Sequence, residues 1–248
     1  MTNNLLNIDQ NAKTIKGQKK GYMTGILYLA PANLSGYEVC PMRSAGCTAG
    51  CLNTAGRGVF SNVQKSRIEK TKQFFNNQTV FMDMLEKNII SLTKRASKNN
   101  LKPCVRLNGT SDISWENVGG EFKNLLNKFP HLQFYDYSKN NIRMERFLGG
   151  LMPKNYHLTF SLNENNMATA LEILKLGGNV AMVFDTKTGK ALPKTHLGFK
   201  VMDGDLSDLR FLDKQGIIVG LRAKGKARKD TQSGFVQTTV KAPLKLVA

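Results

Sequence analysis

Three cysteines fall within twelve residues, in the order Cys-Pro-Met-Arg-Ser-Ala-Gly-Cys-Thr-Ala-Gly-Cys from Cys40 through Cys47 to Cys51. Thiolates are soft, strongly donating ligands that suit zinc or an iron–sulfur cluster. The small residues between them let a loop wrap around one centre and turn backbone N–H groups toward its sulfurs. In a reducing compartment, thiols this close together mean metal binding or redox chemistry more often than disulfides, or than small residues in an inert loop. A closed zinc site needs four ligands. The fourth cysteine, Cys104, falls at the start of an expected strand, at the far end of the sheet from the loop, and is expected to be a small buried hydrophobe. The histidines, His131, His157 and His196, are scattered and form no metal-spaced pair. Three thiolates with an open fourth position are a feature of catalytic rather than structural centres.

Alternating elements must position this loop. Tyr22 to Ala30 is a short apolar run ending at Pro31 and predicts a buried strand, after which Asn33 to Gly58 is loop-like. Ser61 to Asn99 is helical, broken near Asn76–Thr79 with Thr79 as the cap of a second helix. Further strands are expected at Cys104–Leu107, Leu132–Tyr137, Tyr156–Ser161, Asn179–Phe184 and Ile217–Leu221. Helices are expected between them at Trp115–Phe129, Arg143–Leu148 and Met167–Leu176, the last stopped by Gly177–Gly178. Strands alternating with helices imply βαβ units and a mainly parallel sheet, either open and doubly wound or a partial barrel. The expected domain runs from 21 to 248, preceded by a flexible basic arm over residues 1–20.

Polar residues cluster at the C-terminal end of strand after strand, where parallel α/β folds bind ligands. The first strand leads to the cysteines and the second to Asn108, Gly109, Thr110, Ser111 and Asp112. The third leads to Asp136 and Ser138–Lys139, the fourth to Ser161 and Asn163–Glu164, and the fifth to Asp185. Loops are polar in general, but a series of such clusters is better explained by a shared site.

The chain carries 36 Lys and Arg against 18 Asp and Glu, a formal charge of +18. That excess favours a polyanionic partner, most simply nucleic acid, with DNA and RNA not distinguished. Arg57, Lys65, Arg67 and Lys72 form a basic entrance behind the cysteines, and Arg222, Lys224, Lys226, Arg228 and Lys229 form a basic tail. Both are candidates for phosphate contact. Trp115 and Tyr137 are candidate base contacts. The acidic string Asp203, Asp205, Asp208 and Asp213 fits a turn better than a divalent-metal site. No apolar run spans a bilayer and no signal peptide opens the chain, so a cytoplasmic location is expected, and oligomeric state is left open. Walker, dinucleotide, HExxH and Gly-x-Ser-x-Gly motifs are absent. Carboxylate chemistry is an alternative in which Asp112 and Asp136, with Asp185, converge at the rim as catalytic residues.

A three-cysteine loop directly after the first strand resembles the radical S-adenosylmethionine (SAM) superfamily. That resemblance implies a partial (βα)6 TIM-like barrel, a 4Fe–4S cluster on Cys40, Cys47 and Cys51, and SAM on its open iron. Asn108 to Asp112 and Ser161 occupy the places that contact the cofactor in that superfamily. The spacing here, x6 then x3 with Gly50 before Cys51, departs from the usual x3 then x2 with an aromatic residue before the last cysteine. The cysteine loop, the Gly-Thr-Ser-Asp segment and the Phe-Tyr-Asp-Tyr-Ser-Lys strand are also similar to an uncharacterised family of phage-encoded proteins over most of residues 20–235, which implies the host cytoplasm. The leading expectation is therefore a radical-SAM-like enzyme acting on nucleic acid. The alternatives are a nucleic-acid-binding protein with a structural zinc centre and a metal-dependent nuclease.

Overall fold

The computed structural model describes residues 4–8, 10–120 and 124–238. Among them the chain forms a mixed α/β structure around one ten-stranded, largely parallel sheet. The strands are β1 (Leu6–Ile8), β2 (Tyr22–Leu27), β3 (Lys102–Arg106), β4 (Gln133–Ser138), β5 (Tyr156–Ser161) and β6 (Val180–Phe184). They continue with β7 (Thr195–His196), β8 (Phe199–Asp203), β9 (Ile218–Arg222) and β10 (Val236–Gln237). Their spatial order is β1-β2-β3-β4-β5-β6-β9-β8-β7, with β10 on β6. Strands β2 to β6 and β9 are the six expected from sequence, and each pairs in parallel with the next. β1 and β7 lie at opposite ends of the order, so the sheet is open and not a closed barrel.

The longer helices cover one face, and the first lies on the other, its Gly17 against Leu209. Helix α1 is Ala12–Gln18, α2 Ala32–Ser35, α3 Ala45–Ala49, α4 Ser61–Asn76 and α5 Gln78–Lys98. Helix α5 buries Phe81, Leu85, Ile89, Leu92 and Ala96, a stripe spaced by three and four residues. These meet Leu27, Val105, Phe134, Leu158, Phe160 and Met182 in the main core. Each such side chain contributes about 1.5–3 kcal/mol by leaving water.

The opposite face is filled by the segment that follows β8. Asp208 pairs with Arg106 at 3.2 Å and accepts a hydrogen bond from the Tyr135 hydroxyl at 3.0 Å. Phe211 packs edge-on to Tyr22 at 5.1 Å between ring centres. Nearby, Arg222 pairs with Asp203 and Asp205, and Lys13 of α1 pairs with Asp205. The acidic string therefore supplies ion-pair partners, with Asp213 pairing Arg210 in the same segment.

Several boundaries differ from expectation. Residues 6–8 pair with β2 and residues 12–18 form α1, so the expected arm contains ordered, docked elements. The break between α4 and α5 falls at Asn77, whose side chain caps α5 by accepting from the Val80 N–H, in place of Thr79. The expected helix Trp115–Phe129 is a 3-10 turn at Trp115–Asn117 and a short helix at Leu125–Lys128. Gly119, with φ of 84°, interrupts it in a backbone region closed to a right-handed helix; residues 121–123 of that expected helix lie outside the described residues.

Removing Asp208 strands the Arg106 guanidinium in a nearly dry site. Asp208→Ala is expected to cost about 3–5 kcal/mol, while the apolar pair Arg106→Met/Asp208→Leu restores most of that loss. Urea unfolding of the variants measures both; equal stability of Asp208→Ala and the parent chain would contradict this pairing.

Candidate functional site

Parallel strands place all their C-terminal ends on one rim, and the cysteine loop lies there. Ser44 caps α3 with its side-chain oxygen, which accepts from the Cys47 N–H at 3.2 Å. The Ser44 hydroxyl also donates to Glu164 Oε2 at 2.6 Å, and the Gly46 N–H donates to Oε1 at 2.6 Å. One carboxylate from the loop after β5 thus grips the start of α3 at two points. Burial works against the Glu164 charge, yet these donors hold its carboxyl below the usual range. Nearby, Asn163 Nδ2 donates to the Met42 carbonyl at 3.3 Å.

A glycine precedes each of the last two cysteines for a steric reason. A Cβ on Gly46 would lie 2.5 Å from Ser233 Oγ and 2.9 Å from Phe235 Cβ. One on Gly50 would lie 3.0 Å from the Phe235 ring and 3.1 Å from Ala227 Cβ. Cys47 packs with Ala223, Ala227, Phe235 and Val236 in a small apolar cluster. The 223–236 segment is in direct contact with the loop, which leaves no room for an aromatic residue in front of Cys51.

Burial pushes the Cys40 thiol up to about 12, with Asp112, Cys51 and Cys47 adding to the rise and Lys139 opposing it. Burial also raises the Cys51 thiol, and Cys47 contributes. Lys139 directly follows β4. Burial opposes its charge, but Cys47, Asp112 and Cys40 together hold the ammonium above its ordinary pKa. The Lys139 charge thus offsets part of the burial penalty on Cys40 and Cys51. Among the described residues no group of three or more His, Cys, Asp or Glu side chains is disposed to hold a metal ion as it stands. The donor set has the chemistry of a three-thiolate centre, and occupation would require the sulfurs to turn inward and Cys40 to lose its proton. Cys104 is fully buried, hydrogen-bonded to Thr24 at 3.2 Å, and apart from this loop.

The segment expected to contact a cofactor is mostly engaged with the protein itself. Asn108 Oδ1 accepts from Ser111 Oγ, the Ile113 N–H and Trp115 Nε1, and its N–H donates to Asp136. The Gly109 N–H donates to the Leu27 carbonyl, and Thr110 Oγ1 donates to the Leu29 carbonyl. Cys40 Sγ lies 3.8 Å from the Thr110 carbonyl, and the Asp112 N–H donates to the Val39 carbonyl at 2.7 Å. The Asp112 carboxylate is taken by Arg143 at 2.9 Å and by the Lys139 N–H at 2.8 Å. Asp136 is fully buried and accepts from Asn108 and from the Tyr156 hydroxyl at 2.8 Å. Asp112 and Asp136 therefore anchor the loops and offer no free pair of oxygens. Ser161 ends β5, half-buried, at the same rim. Trp115 is buried, and Tyr137 lies under Arg106 at 4.5 Å, so neither offers an open face to a base.

The basic residues divide into buried or paired ones and exposed ones without an ion pair. Arg67 donates to Asn53 at 2.6 Å and lies over the Tyr28 ring, while Arg222 and Lys224 pair with Asp203 and Asp205. Arg57, Lys65, Lys72, Lys226, Arg228 and Lys229 are exposed and make no ion pair among the described residues. Sequence reasoning placed Lys139 and Glu164 in polar clusters at strand ends but gave neither a role. Only the packing of distant loops reveals the grip and the counter-charge.

Glu164→Ala should loosen the loop by about 1.5–3 kcal/mol, the usual worth of hydrogen bonds to a charged group. The expected readout is faster reaction of Cys47 and Cys51 with a thiol reagent, at unchanged Cys104 reactivity; an unaltered rate would remove the grip from the account. Asp136 supplies a pH test. Burial raises its carboxyl to about 7, against the donors Asn108 and Tyr156. The folded chain then holds a proton that the unfolded chain releases near pH ~4, so this group makes stability fall as pH rises from ~4 toward 7. Asp136→Asn should flatten that slope in pH-dependent unfolding, and an unchanged slope would assign it elsewhere.

No curated protein and no solved structure is significantly similar to the chain. A family model described as GP88, Gene product 88, matches residues 4–239. The match covers the sheet, the cysteine loop and the basic rim together, and the protein belongs to the Gene product 88 family.

Proposed function

We propose that the protein is an iron–sulfur enzyme of radical-SAM-like type acting on nucleic acid, with Cys40, Cys47 and Cys51 as the ligands of its cluster. The observation that supports this reading most is the placement of Cys40, Cys47 and Cys51 in one loop at the C-terminal rim of parallel strands, with Lys139 opposing the rise that burial imposes on Cys40 and Cys51. The six consecutive parallel strands β2 to β6 and β9 correspond, in this reading, to a partial (βα)6 barrel. A bound 4Fe–4S cluster with SAM supplies one-electron chemistry. The chain's own residues supply the rest. Glu164 and Ser44 fix α3, Asp112 ties Cys40's neighbourhood to β3 and β4, and Lys139 offsets the negative charge of the thiolates. Ser161 is the rim side chain left to meet a cofactor, and the exposed cations stand where a phosphate backbone would approach.

A second reading is a structural zinc. The packing of Cys47 into the Ala223–Val236 cluster favours it, because a metal there would staple the C-terminal segment to the loop. Anaerobic purification and metal analysis separate the two. The enzyme reading expects brown protein with iron and acid-labile sulfide, lost when any one of the three cysteines becomes alanine. Stoichiometric colourless zinc would replace it with the staple, and protein free of any metal after anaerobic reconstitution would end both.

A further inference from the structure

Three short turns pack together beside the cysteines. Leu52–Thr54 follows Cys51, Gly56–Val59 leads into α4, and Gly225–Lys229 comes from the C-terminal segment. The Lys226 N–H reaches Thr54 Oγ1 at 3.4 Å, a Cβ on Gly225 would stand 2.6 Å from the Thr54 carbonyl, and one on Gly58 2.8 Å from the Asn53 carbonyl. The surface they share is both apolar and cationic. Leu52, Val59 and Phe60 are 52%, 51% and 55% exposed. The same packed turns carry Arg57, Lys226, Arg228 and Lys229, exposed and without an ion pair among the described residues.

Phe60 occupies the N-cap position of α4 and makes no side-chain cap hydrogen bond. Serine, threonine, aspartate or asparagine there would stabilise the helix by about 1 kcal/mol. A phenylalanine that neither caps nor buries its ring contributes little to the fold, and a residue that breaks a local rule without structural gain points to a use outside the fold.

Cations alone suit any polyanion, whereas exposed apolar and aromatic side chains among them suit one whose bases are unstacked and open. A duplex presents phosphates and hides its base faces. We infer that this surface binds single-stranded nucleic acid, Phe60 stacking on a base while Arg57, Lys226, Arg228 and Lys229 follow the phosphates. The inference rests on the nucleic-acid reading above and narrows it to single strands.

Fluorescence anisotropy of the full chain with a labelled single strand, and with the duplex of the same sequence, over a salt series tests it. The single strand is expected to bind at least about tenfold tighter than the duplex. Phe60→Ala should lose about tenfold for the single strand alone, and Phe60→Trp should keep the affinity. Replacing Lys226, Arg228 and Lys229 with glutamine should lower the salt slope by about 2. An unchanged thermal melt for Phe60→Ala is expected of so exposed a ring and excludes misfolding as the cause. Equal affinity for single strand and duplex, or an indifferent Phe60→Ala, overturns the inference and leaves the nucleic-acid reading standing. Binding to neither at low salt overturns both. A patch that instead mediates self-association, seen as a Phe60-dependent dimer in sedimentation with no effect on the single strand, also overturns it.

Discussion

A parallel sheet forces every strand to end on the same side, and the other features of this protein follow from that constraint. The cysteine loop after β2, the 108–112 segment after β3, Lys139 after β4 and Glu164 after β5 meet because β2 to β5 run in one direction. A reversed strand would send its polar loop to the opposite edge. With the rim assembled, short-range forces complete the site. The Glu164 carboxylate takes two donors from α3, the Asp112 N–H joins the Val39 carbonyl, and the two glycines before Cys47 and Cys51 admit the 223–236 segment.

Electrostatics then distinguish what is structural from what is available. Arg143, with Asp112, Glu116 and Tyr156, forms a buried network behind the rim in which nearly every polar atom is satisfied. Arg106, Asp208 and Tyr135 form a second buried cluster on the other face of the sheet, in which Arg106 Nε is left without a hydrogen-bond partner. Lys139 is different, since Cys47, Asp112 and Cys40 hold up its charge and it in turn opposes the rise that burial imposes on Cys40 and Cys51. A half-buried lysine whose charge is favoured by the neighbouring cysteines marks this place as one that can hold charge. The exposed cations lie outside, where solvent and a polyanion reach them.

The sheet was readable from sequence because its six central strands are apolar enough for burial on both sides, and each is followed by polar residues at the rim. Cys104 was readable for the same reason: a cysteine inside an apolar strand packs, and it does, against Thr24. The N-terminal elements were not, because β1 is three residues long and is held by β2 and by Asn88 Oδ1, which accepts from the Leu5 N–H at 2.9 Å. Asn77 took the cap from Thr79 because either residue type can cap a helix and the chain reversal between α4 and α5 decides which one does. The roles of the basic residues were hidden in another way. Arg222 and Lys224 look like Arg228 and Lys229 in sequence, and only Asp203 and Asp205, about twenty residues away, separate ion-paired from unpaired. Asp112 and Asp136 drew attention as acids at a rim, and their donors show that they hold loops.

The account depends on three sulfurs sharing one inorganic centre. X-ray absorption at the metal edge of anaerobically loaded protein counts the ligands directly. Three protein sulfurs at metal–thiolate distance, each lost with its own cysteine-to-alanine variant, is the predicted result. A bound metal surrounded by nitrogen and oxygen alone, unaffected by those variants, would contradict it.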